Sequence, residues 1–88
     1  MTTMIRQGSL VEATRRTHIG TETLLGRVAW LLVEEHEGQE TPIQATVEGM
    51  VIQTRITGLP LPIEEERPET WMVSVEPTRW SRLQVIEF

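Results

Sequence analysis

Cysteine, lysine, aspartate, asparagine and tyrosine are all missing from these 88 residues. Without cysteine the chain has no disulfide framework and no thiolate to ligate a metal or attack a substrate. Every side-chain cation is therefore Arg or His, every side-chain carboxylate is Glu, and the catalytic vocabulary shrinks to His, Glu, Ser, Thr and Arg. Such one-sided usage fits coding bias in a GC-rich genome, heat adaptation that thins thermolabile residues, and a designed sequence alike. Long hydrophobic runs are missing too: the longest, VAWLLV from Val28 to Val33, has six residues, where a membrane-spanning helix needs about twenty. The N-terminal MTTMIRQG lacks the apolar stretch of a secretory leader, so the expectation is a cytoplasmic protein with no membrane partner.

What is present suffices for a folded chain. Hydrophobic residues make up 39% and charged residues 24%, with a net charge of −5, outside the range in which chains stay disordered. The length implies a single small domain over residues 1–88, burying roughly two-thirds of the surface its unfolded chain exposes. A domain of this size without covalent staples often gains stability by self-association. Charge is blocked along the chain: residues 1–30 carry +2, residues 31–76 carry −8 and residues 77–88 carry +1. Such a bipolar chain can pair its ends with its middle, or with the middle of a second copy.

The local patterning predicts strands. In TWMVSVEP, Trp71, Val73 and Val75 alternate with Met72, Ser74 and Glu76 until Pro77 removes a backbone donor. IRQGSLVEATR reads as a strand kinked at Gly8 with Val11 and Ala13 inward, and RLQVIEF as a last strand. In IQATVEGMVIQTRI, Ile43, Ala45 and Val47 share one side, while Met50, Ile52 and Ile56 fall on the opposite parity. That slip predicts a β-bulge or tight turn at Gly49. TETLLGRVAWLLVEEHEG allows two readings. One is an amphipathic helix over about residues 21–37, capped by Thr21 or Thr23 and stopped by Gly38, which would make the protein α+β. The other is a strand from about Leu25 to Glu35, buried on both faces, turning through residues 36–40 into the strand after Pro42. Gly26 inside the segment and the apolar character of Val28–Val33 all round favour the strand.

Five strands separated by Gly- or Pro-containing turns make the fold mainly β, a small five-stranded and strongly bent barrel or sandwich. In outline this resembles SH3-like and OB-like small barrels, with no motif belonging to a single family.

Few constellations support chemistry. No serine sits in a glycine-flanked nucleophile elbow, and no glycine-rich phosphate cradle occurs. Glu34 and His36 would share a strand face, but two ligands fall short of a zinc site and His18 would have to come from elsewhere. No metal and no cofactor is expected, and a His/Glu-dependent enzyme ranks third among the readings. The second is a nucleic-acid-binding small barrel, in which Arg79 and Arg82 flank Trp80, with Arg15 and Arg16 near the start of the chain; the net charge of −5 opposes it.

The first reading is a non-enzymatic protein-binding or assembly module, self-associating or acting as an accessory subunit. It rests on GLPLPIEEERPET, residues 58–70, where Pro60 and Pro62 exclude a central strand. The stretch is expected to form an extended Pro/Glu-rich loop between strands ending near Thr57 and beginning near Thr70. Leu59, Leu61 and Ile63 are costly to leave in water and would meet a partner chain. Glu64, Glu65 and Glu66 would face Arg15 and Arg16, or Arg79 and Arg82 beside Trp80, of a second copy.

Overall fold

A computed structural model describes residues 4–86. Five antiparallel strands, β1 (Leu10–Arg16), β2 (Gly20–His36), β3 (Gln39–Ile56), β4 (Ile63–Ser74) and β5 (Ser81–Val85), form one sheet in the order β4-β3-β2-β1-β5. No helix occurs among the described residues. The sheet curls so that its edges, β4 and β5, approach each other, but no ladder joins them and the barrel stays unclosed. Val11, Ala13, Leu24, Val28, Ala45, Val47, Val51, Trp71 and Val73 fill its concave side.

The segment that allowed a helix is β2, and it runs longer than Leu25–Glu35. Its two-faced apolar character comes from a bulge at Ala29: Val28 pairs with Val47, whereas Trp30 pairs with Thr46. Leu24, Gly26 and Val28 face the core, while Trp30 and Leu32 lie exposed on the convex face, which nothing among the described residues covers. Burial on both faces is thus corrected. The turn into β3 is only Glu37–Gly38, both with positive φ (53° and 79°), as a tight hairpin turn matched to strand twist requires.

Gly49 is not where the alternation shifts. Its pairing is continuous with its neighbours, opposite Gly26, and Ala45, Val47, Gly49 and Val51 share the core-facing parity. The extra residue is Ile52, skipped in the pairings to both β2 and β4, and after it Thr54 turns inward. The two glycines oppose each other where the backbones come too close for a side chain on either.

The loop expected over residues 58–70 is shorter. Only residues 57–62 connect the strands, and Ile63 through Thr70 belong to β4. Pro68 is tolerated because β4 is an edge strand, where a missing donor interrupts no inner ladder. β1 begins at Leu10, so Gly8, with a φ of 89°, lies in a turn ahead of the strand and not at a kink within it; the inward Val11 and Ala13 are as expected, as is the burial of Trp71 and Val73. β5 starts one residue before Arg82, and Glu87 and Phe88 of the expected last strand lie outside the described residues.

β2 and β3 are far longer than their neighbours. β1 pairs with β2 as far as Arg27, extended to Val28 by its two hydrogen bonds with Gly8 and Ser9, and β4 pairs with β3 only from Gln44. Val33–His36 and Gln39–Pro42 therefore project as a two-stranded arm, with Trp30 and Leu32 at its base, giving the molecule its 48 × 25 × 25 Å extents.

Candidate functional site

The residues expected to share one binding surface are distributed over three places. Arg15 and Arg16, adjacent on β1, point to opposite faces, as the two-residue period dictates. Arg15 turns to the concave side, where its Nε donates to Glu22 Oε1 at 2.9 Å and its Nη2 to Glu69 Oε1 at 3.2 Å. Its guanidinium also lies 4.1 Å from the Trp71 ring centroid. Arg67 donates to Glu22 Oε2 at 2.6 Å, to Glu65 Oε2 at 2.9 Å and to Glu69 Oε2. Trp71 Nε1 adds a 2.8 Å hydrogen bond to Glu69 Oε1. The indole N–H, the Arg67 hydrogen bond and the charges of Arg67 and Arg15 together hold the Glu69 carboxyl below the ordinary carboxylate range, against the opposing effect of burial. Hydrogen bonds to Glu69 and Glu22 raise the Arg67 pKa in return. This network ties edge strand β4 to β1 and β2 across the open end of the sheet, and it engages Arg15 and Glu65.

Arg16 goes the other way and meets Arg79, Trp80 and Arg82 around a shallow depression of about 200 Å³, with Thr14, Thr21, Thr78 and Ser81 completing its lining. The turn before β5 is held firmly. Thr78 Oγ1 accepts the Trp80 and Ser81 N–H groups at 3.1 and 3.0 Å, and the Arg16 N–H donates to the Trp80 carbonyl at 2.7 Å. Trp80 is thereby presented outward, 59% exposed. Arg16, Arg79 and Arg82 form no ion pair among the described residues.

Leu59 and Leu61 lie exposed in the 57–62 connection, Leu61 at 74%, and Ile63 opens β4. The Thr57 N–H donates to the Ile19 carbonyl at 2.9 Å, which places this connection beside the β1–β2 turn. The leucines do not fold back over the core. Glu64, Glu65 and Glu66 line a separate surface with Ile52.

The arm was not expected as a site. Trp30 and Met72, 66% and 73% exposed, belong to one cross-strand row through Thr46, with Leu32 in the next row on the convex face. Val33 and Ile43 are exposed nearby. Beyond the end of β4, a depression of about 440 Å³ has Pro42 and Ile43 as its apolar lining and Glu34, Glu76 and His36 among its polar groups. Glu34, Glu35, Glu37 and Glu40 crowd the arm's end, where His36 Nε2 lies 3.9 Å from Glu37. One signal could have revealed this surface: VAWLLV offers two apolar faces, and a domain of one curled sheet has only one interior.

Among the described residues, no three His or Glu side chains converge as metal ligands. Among the described residues no helix is long and apolar enough to cross a membrane. No protein-family model matches the chain, and neither a curated protein nor a solved structure matches it.

Proposed function

We propose that the protein is a non-enzymatic assembly module that binds other copies of its own chain, with the projecting β2–β3 arm as its main contact surface. The carrying observation is the row of Trp30, Leu32 and Met72 left in water at the base of an arm, Val33–His36 with Gln39–Pro42, that neither β1 nor β4 flanks. A two-stranded hairpin is at best marginally stable alone. Exposed aromatic and aliphatic side chains rimmed by charge are the usual mark of a contact surface. Burying Trp30 and Leu32 offers roughly 1.5–3 kcal/mol each in contact energy. The outer backbone edge of Gln39–Thr41, which β4 does not pair, can also add a strand from a partner.

Replacing Trp30 and Leu32 by Ser tests this reading by light scattering over a dilution series. The unaltered chain is expected to show a mass that rises with concentration, and the double variant is expected to stay monomeric with an unchanged far-ultraviolet circular dichroism spectrum. A mass equal to one chain at every concentration for both proteins contradicts it.

A second reading has one observation in its favour: Arg16, Arg79 and Arg82 around exposed Trp80 form the cation-and-aromatic surface that holds single-stranded nucleic acid. The net charge of −5 works against it.

A further inference from the structure

We infer that copies associate head to tail, the acidic arm of one chain seating on the Arg16–Arg79–Trp80–Arg82 surface of the next. This inference rests on the arm being the contact surface and specifies what covers it. The two surfaces sit at opposite ends of β2: Thr21, its second residue, lines the arginine depression, and Glu34 and Glu35 stand near its last. In a molecule 48 Å long, the arm of one chain cannot reach that chain's own depression. Glu34, Glu35 and Glu40 at one end and Arg16, Arg79 and Arg82 at the other form no ion pair among the described residues. Each end also exposes a tryptophan, Trp30 at the base of the arm and Trp80 at the depression.

Charge decides between the possible geometries. A two-fold contact between arms sets glutamates against glutamates, and one between the opposite ends sets arginines against arginines. Like charges across an interface are penalised and opposite charges steer association. Only the heterologous arrangement brings unlike ends together, and it builds a ring or an open filament rather than a closed dimer. Arg15 and Glu65 contribute nothing to it, since both are held in the internal network.

Two complementary variants test the inference in sedimentation velocity. One carries Trp30→Ser and Leu32→Ser, leaving the arginine end intact; the other carries Arg16→Glu and Arg82→Glu, leaving the arm intact. All four positions are on the convex face or partly in solvent, and association on mixing itself reports that both variants are folded. Each variant alone is expected to be monomeric, and an equal mixture is expected to give a species of twice the chain mass that cannot grow further. If the arginine-end variant self-associates as the unaltered chain does, contact is between arms: head-to-tail assembly is wrong while the arm remains the binding surface. If the unaltered chain is monomeric at every concentration, both fail. Retention of a fluorescent single-stranded oligonucleotide by that monomer, lost with Arg16→Glu and Arg82→Glu, would reassign the arginine end to nucleic acid and overturn the inference.

Discussion

A methyl group on Gly49 would lie 2.1 Å from the Leu25 carbonyl oxygen and 2.5 Å from the Gly26 Cα, so the two strands cross there without room for any side chain. Those contacts are with backbone, which cannot rotate away. Gly49→Ala is therefore expected to destabilise the fold by about 3 kcal/mol, the upper part of the range for overpacked interiors, measured by urea unfolding; a loss below about 0.5 kcal/mol, usual for a surface substitution, contradicts the close crossing. The same position shows what could be read at this scale. Val11, Ala13, Trp71 and Val73 were legible because each alternates without interruption. Gly49 was misread because an inward glycine leaves no apolar mark, so the change of phase seemed to fall on it rather than on Ile52, three residues later.

At the scale of elements, β4 carries both the largest misreading and a pH-dependent hold. Two prolines and a run of glutamates signal a loop, but an edge strand accommodates proline and is commonly guarded by charge. Its inward Glu65, Arg67 and Glu69 act across space on Arg15 and Glu22, partners that no local pattern announces. β2 was legible as a strand because Gly26 and the apolar run argued against a helix. Since the Glu69 carboxyl binds a proton less readily folded than unfolded, its contribution is full above the ordinary carboxylate value. That contribution is lost as pH falls through the lowered folded value. Guanidinium groups stay charged throughout this window. Glu69→Gln is expected to lower the melting temperature at neutral pH and to narrow the gap from the unaltered protein in acid; an equal gap at both pH values contradicts the assignment.

For the whole molecule, the open, curled sheet is the outline that alternation and turn residues implied, and the arm is the part they did not. How far each strand pairs is a property of its neighbours: β1 and β4 stop early while β2 and β3 continue. The result is a chain with an acidic, apolar arm at one end and arginines around a tryptophan at the other. Blocked charge along the sequence foreshadowed this polarity, while Glu64–Glu66, which carry much of the acidic block, line a separate surface with Ile52.

Amide hydrogen exchange at low and high protein concentration tests most directly whether a second copy covers the arm. The account predicts that amides of residues 33–36 and 39–41 exchange quickly in dilute solution and become protected as concentration rises, while those around Leu24 and Val47 are protected throughout. Exchange from the arm that stays fast and unchanged across the whole concentration range would contradict it.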